Sequence, residues 1–299
     1  MRYAVLVTGP AGAGKSTFST AFATHLRMAR RTAHIVNLDP AATGDAFEYE
    51  PAIDIRELVT LEDVMSEMGM GPNGGLVYCF EYLLQNMDWL EDELGGYDED
   101  YLIIDCPGQI ELYTHHPFLP ILARNLQRVG IRTCAAYLID SQFMEDRYKF
   151  FSGVLSAMSA MVNLEIPWIN IMSKMDLGAS EPRNGRRTRK DISRYLDPDP
   201  LLLATARDGR VENGRFHELN RALGAIEDHP LVSFLPLDLT STESLEVVVS
   251  HIDFTMQYGE DEEPKEPNDL DGGDFPRSRV ISAVLGELEG KKVPQCYLA

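Results

Sequence analysis

Positive charge is scarce in this sequence. Its 299 residues carry 27 Lys and Arg against 47 Asp and Glu, a formal net charge of −20. Such a balance argues against direct, sequence-independent binding to nucleic acid and against an anionic membrane surface. A site for a phosphorylated ligand must therefore concentrate its own positive field locally. Cysteine is sparse too: Cys79, Cys106, Cys134 and Cys296 include no C-x-x-C pair. The first three lie in apolar segments, where a small buried hydrophobe is a better reading than a disulfide or a zinc ligand. No apolar run approaches membrane-spanning length, and the chain opens directly on a strand-like run rather than a leader pattern. The expectation is a reducing, cytoplasmic compartment.

With 44% hydrophobic residues, the chain can bury a full core. Short apolar runs at 3–8, 33–38, 101–105, 133–140, 168–172 and 232–237 read as buried strands. Helical patterns separate them at 15–31, 75–94, 143–162 and 241–257. This alternation predicts an α/β fold, a mostly parallel sheet flanked by helices. Two regions break it. Residues 178–230 are polar and Arg-rich and read as a helical insertion or lid. Residues 260–299 open on an acidic run whose composition predicts disorder, with Val280, Ile281, Val284, Leu285 and Leu288 spaced for one helix face. The predicted domain thus spans 1–259.

Gly9-Pro-Ala-Gly-Ala-Gly-Lys-Ser-Thr17 fits G-x-x-x-x-G-K-[ST] between a strand and a helix. Such a loop aims backbone N–H groups at phosphates, and its glycines remove Cβ atoms from their path. Gly12, Ala13, Gly14, Lys15, Ser16 and Thr17 form the expected phosphate site. Lys15 reaches the β and γ phosphates, and the Ser16 hydroxyl ligates Mg²⁺. Asp105-Cys-Pro-Gly-Gln109 ends another strand: Asp105 is placed to hold Mg²⁺ and Gln109 to orient an attacking water. Ser173-Lys-Met-Asp176 matches the guanine-reading [NT]-K-x-D pattern except for Ser at its first position. There the Asp176 carboxylate accepts from guanine N–H groups, the Lys174 stem packs over the base, and Met175 separates them. Asn37-Leu-Asp-Pro-Ala-Ala42 puts Asp39 either toward a γ-phosphate or in a strand-ending turn. Gly71-Pro-Asn-Gly-Gly75, by itself, reads as a turn.

Together these segments, with Asp140-Ser-Gln-Phe143, resemble the GPN-loop GTPases, whose Gly-Pro-Asn element stands here as Gly71, Pro72 and Asn73. The likeness runs from about residue 2 to 260. His251-Ile-Asp-Phe254 and Gln257-Tyr-Gly-Glu-Asp261 look most like the third eukaryotic paralogue, with the second as runner-up. The resemblance implies GTP as substrate and a homodimer or a heterodimer with a paralogous GPN-loop GTPase. Asn73 then acts across the dimer on the partner's phosphates or water, and Glu111 holds that loop by hydrogen bonding. It further implies a part in assembly and nuclear import of RNA polymerase II, with polymerase subunits as clients and shuttling to the nucleus.

Two other readings stay open. A P-loop small-molecule kinase would use Arg183, Arg186, Arg187 and Arg189 as a phosphate-gripping lid, and a GTP-bound scaffold would turn over negligibly. The terminal Cys296-Tyr-Leu-Ala299 fits a prenylation signal as well as chance.

Overall fold

The computed structural model describes residues 2–42, 49–95, 101–178, 189–198 and 232–260. In strand β1 (Arg2–Thr8), Tyr3, Val5 and Val7 face one cluster of buried side chains while Ala4 and Leu6 face another. That period of two, with both faces apolar, is what a central strand covered on both sides requires. Around it, β2 (Ala33–Asn37), β3 (Ile53–Asp54), β4 (Tyr101–Asp105), β5 (Ile131–Asp140), β6 (Trp168–Ser173) and β7 (Phe234–Pro236) complete a seven-stranded sheet. The order is β3-β2-β4-β1-β5-β6-β7, and every pairing is parallel.

Helix α1 (Lys15–Met28) buries Phe18, Phe22 and Leu26, spaced four apart, against one face. The C-terminal helix of the described chain, Thr242–Met256, shares that face through Leu245, Val248, Val249 and Ile252. The opposite face is covered by α3 (Pro72–Gln85), α4 (Met87–Leu94), α6 (Phe118–Arg128) and α7 (Arg147–Leu164). Helix α2 (Leu61–Met68) packs on α3, and α5 (Ile110–Thr114) follows β4. Cys79, Cys106 and Cys134 are free and buried, as their apolar settings predict. Among the described residues, no helix is long and apolar enough to cross a membrane.

Several elements depart from the sequence reading. The single helix expected over 75–94 is two, because Asn86 takes φ −117 and ψ 39 and ends α3 before α4 begins. The Gly-Pro-Asn segment is not a free turn. Gly71 is the N-cap of α3, Pro72 its first residue, and the Gly75 N–H closes onto the Gly71 carbonyl at 2.8 Å. Proline suits that position because its missing N–H would have no partner in the helix anyway. Strand β3 and helices α2, α5 and α6 lie outside the predicted strand and helix list. Of the expected lid, one helix, α9 (Arg189–Leu196), is described. Arg183, Arg186 and Arg187, the 280–288 stretch and Cys296 lie outside the described residues.

At the carboxyl end of β1 the chain must turn sharply under β5. Gly9 has φ +134, and a Cβ there would sit 2.3 Å from the Leu138 carbonyl oxygen. Gly130, at φ +82, has nothing within 4 Å of a built Cβ. Gly130→Ala should therefore cost only backbone strain, about 1 kcal/mol, whereas Gly9→Ala adds a clash with main chain and should cost about 3 kcal/mol or more. Urea midpoints of the two variants check this ordering; equal losses would contradict it.

Candidate functional site

Because all strands run parallel, Thr8, Asn37, Asp105, Asp140 and Ser173 reach the same edge of the sheet. Ligands of open α/β sheets bind outside that carboxyl edge. The loop from Gly9 to Gly14 crosses it and enters α1, whose N-cap Gly14 is left-handed and offers no side chain to the first helical N–H groups. Lys15 is buried, 8% exposed, with Nζ 3.4 Å from the Pro10 carbonyl. Burial pulls its pKa down, and Asp105 and Asp39 work against that shift.

The β4 end meets this loop directly. A Cβ on Gly108 would lie 2.7 Å from Ala11 Cα and 2.9 Å from Ala11 N, so only glycine lets the two backbones touch. The Cys106 N–H donates to the Val7 carbonyl at 3.1 Å and the Leu38 N–H to the Asp105 carbonyl at 2.9 Å, locking three strand ends together. Asp105 is 3% exposed, and its Oδ1 has no hydrogen-bond partner. Burial raises its pKa, while the hydroxyls of Ser16 and Tyr49 and the charge of Lys15 hold it down in part. A buried orphaned carboxylate oxygen beside a serine hydroxyl is a hard-oxygen donor set, and such a set fits Mg²⁺. Gln109 is the N-cap of α5, half-buried, and its Oε1 is also without a partner.

The β6 end binds the same loop from the other side. Ser173 Oγ lies 2.7 Å from the Ala13 carbonyl and 3.1 Å from that of Ile139, with one proton between them. Lys174, at φ +57, donates from Nζ to the Gly12 carbonyl at 2.6 Å and to Asp140 Oδ2 at 2.8 Å. The Ser141 hydroxyl donates to the Lys174 carbonyl at 2.7 Å, and the Met175 N–H to the Leu237 carbonyl at 3.1 Å. Asp176, half-buried, opens the short helix α8 (Met175–Gly178) immediately after this anchor.

Asp39 sits at the third strand end. Its Oδ1 accepts from the Ala41 N–H at 3.0 Å, and its own N–H donates to Asn37 Oδ1 at 3.0 Å. Burial raises its pKa. Asn37 in turn donates to Asp54 Oδ1 at 2.9 Å. Arg56 grips Asp54 through Nε at 2.9 Å and Nη2 at 2.5 Å, and donates to the Ala42 carbonyl at 3.1 Å. Asp39 thus caps the turn after β2 and stands close enough to Lys15 to act on its charge.

Gly12, Ala13, Gly14, Lys15, Ser16, Asp39, Asp105, Gln109, Ser173 and Lys174 are therefore gathered at one edge. Asn73 and Glu111 are exposed, and neither side chain hydrogen-bonds to the 9–17 loop of its own chain. Sequence reasoning missed Tyr49 and the Asn37–Asp54–Arg56 network. The one local signal for the network was Asp54-Ile-Arg56, two opposite charges with one residue between them.

A family model described as "Conserved hypothetical ATP binding protein" matches residues 7–258. Among curated proteins, a GPN-loop GTPase 3 of Mycosarcoma maydis is 58% identical, over 92% of this chain and 98% of that protein. A GPN-loop GTPase 3 of Schizosaccharomyces pombe is 51% identical, again over 92% and 98%. Among solved structures, the apo form of a GTPase from Pyrococcus abyssi superposes with a TM-score of 0.66 at 24% identity, covering 85% of this chain and 97% of that one. At that identity the likeness bears on the fold.

The Asp54 network gives a stability test. Burial acts to raise the Asp54 pKa, but hydrogen bonds from the Arg56 side chain and backbone and from Asn37 outweigh it, and the net shift is downward from 3.8. A carboxylate so lowered contributes stability above its unfolded value and loses it as pH falls through the folded one. Asp54→Asn should cost about 2 kcal/mol at neutral pH. The gap in urea midpoint between wild type and variant should close as pH drops below 3.8. A gap that widens in acid would contradict the assignment.

Proposed function

The chain belongs to the GPN-loop GTPase family and is a GTP hydrolase, and from that premise we propose that its turnover is Mg²⁺-assisted and depends on pairing with a second GPN-loop subunit. The observation that carries the site assignment is the double tether of Ser173 and Lys174 onto Ala13 and Gly12. It ties the segment that leads into Asp176 to the glycine-rich loop, which supports a reading in which one nucleotide spans both. Backbone N–H groups of residues 12–17 and the Lys15 ammonium hold the β and γ phosphates. Ser16 and Asp105 would hold Mg²⁺, which when bound neutralises charge on the phosphate oxygens. Gln109, with its free buried Oε1, accepts a hydrogen bond from the attacking water and orients it, and Asp39 flanks that space. Asn73, exposed on the first turn of α3, serves the site of the partner, where its amide dipole stabilises developing charge. Glu111 supports the incoming loop. The partner is a second copy or a paralogue, and assembly and nuclear import of RNA polymerase II is the process in which such a dimer acts.

Base selectivity should rest on Asp176. Asp176→Asn leaves the guanine N–H groups without an acceptor and offers an amide donor suited to the xanthine carbonyl. Preference should shift from GTP toward XTP, by a factor that can be large when buried hydrogen bonds discriminate. Competition against a fluorescent GTP analogue measures it; ATP competing equally with GTP on the wild type would defeat the guanine reading.

The trans role of Asn73 has its own test. Asn73→Ala should lower single-turnover hydrolysis by about 10²–10³ with GTP affinity nearly intact, because the interaction matters most in the transition state. Mixing Asn73→Ala subunits with Lys15→Ala subunits should restore up to one working site per dimer, increasingly so at higher protein concentration. Heterodimers that form without recovering activity would place Asn73 outside the partner's site.

A further inference from the structure

Asp105 presents its two oxygens to different neighbours. Oδ2 accepts a hydrogen bond of 2.9 Å from the Tyr49 hydroxyl, whereas Oδ1 is buried with no partner. A carboxylate at a strand end can rotate about its last bond, and a fixed donor on one oxygen removes that freedom. Tyr49 is such a donor. Its ring packs against the core cluster beneath α1, and three residues on, the Ala52 N–H ties the same segment to the Ile35 carbonyl at 2.8 Å.

We propose that Tyr49 is a positioning residue for Mg²⁺: by holding Asp105 Oδ2, it leaves the buried Oδ1 unpaired and pre-sets the carboxylate for the metal. The proposal rests on the Ser16–Asp105 metal reading given above. Tyr49 also lies in the connection between β2 and β3, so metal affinity becomes linked to the placement of that connection. The phenol remains a donor: burial first, then Asp105, Asp54 and Asp39 around it, drive its pKa upward and keep the proton on oxygen.

Tyr49→Phe keeps the ring and removes the donor, so it separates positioning from packing. With the full chain, the release rate of a fluorescent GDP analogue is followed across a Mg²⁺ titration, alongside its affinity in excess chelator. The half-saturating Mg²⁺ concentration should rise about tenfold in Tyr49→Phe, the loss expected for one hydrogen bond to a charged group. Affinity without metal should stay within about twofold, since the donor removed is the one that holds Asp105 for the metal. Tyr49→Leu, which also removes the ring, should match Tyr49→Phe in its Mg²⁺ response. An unchanged Mg²⁺ midpoint in Tyr49→Phe, with the wild type clearly Mg²⁺-dependent, overturns the role of Tyr49 and leaves the metal reading standing. Equal losses with and without metal make Tyr49 a packing residue and overturn the proposal as well. A wild type indifferent to Mg²⁺ removes the metal reading and the proposal with it.

Discussion

The Ala13 and Gly12 carbonyls accept hydrogen bonds from Ser173 and Lys174, residues 160 or more positions away along the chain. A Gly-rich loop left to itself samples many conformations, and each glycine adds backbone entropy that a fixed phosphate cradle must overcome. These two tethers act where that cost is greatest. Their donors are themselves held, Lys174 by Asp140 and Ser141, and the β6 end by Leu237. Gly108 presses on Ala11 from the opposite side, so the loop is clamped between the ends of β4 and β6. The ends of β4 and β6 and the glycine-rich loop are consequently tied into one edge of the sheet.

Electrostatics at that edge follows from the acidity of the chain. Lys15 is buried among Asp39 and Asp105, so a cation that burial disfavours is offset by two carboxylates that burial also disfavours. Lys15 favours the ionised form of both carboxylates, whereas Asp39 opposes it at Asp105. Asp54 is the counter-example: also buried, it is satisfied by Arg56 and Asn37, and its pKa falls instead of rising. The contrast separates a carboxylate committed to structure from carboxylates with unused acceptor capacity.

The opposite edge of the sheet is held by a charged and aromatic cluster. Arg31 pairs with Asp253 at 2.6 Å and lies over the Tyr258 ring at 4.3 Å, while Tyr3, Tyr101 and Tyr258 stack around it. This cluster fixes the last described helix to β1 and β4 from below, far along the strands from the loop. Asp253 and Tyr258 belong to the segments that mark the likeness to the third paralogue, and both have a packing role in this chain.

By itself, the sequence determined the parallel α/β class and the places of the glycine-rich loop between β1 and α1, of Asp105 at a strand end and of the Ser173–Asp176 segment after β6. Their signals are local: hydrophobic runs of strand length, glycines at fixed spacing, and polar residues directly after an apolar run. Strand order, the covering of both faces and the burial of Lys15 were decided only by tertiary structure, since they depend on which strands pair. The same holds for Tyr49 and for the Asn37–Asp54–Arg56 network. Tyr49 meets Asp105 across 56 positions of chain, and no local pattern distinguishes it from the other tyrosines. The Gly-Pro-Asn segment shows the division most plainly. Its composition is that of a turn, yet Pro72 serves equally well as a first helical residue, and packing of Gly75 against Leu61 of α2 chose the helix.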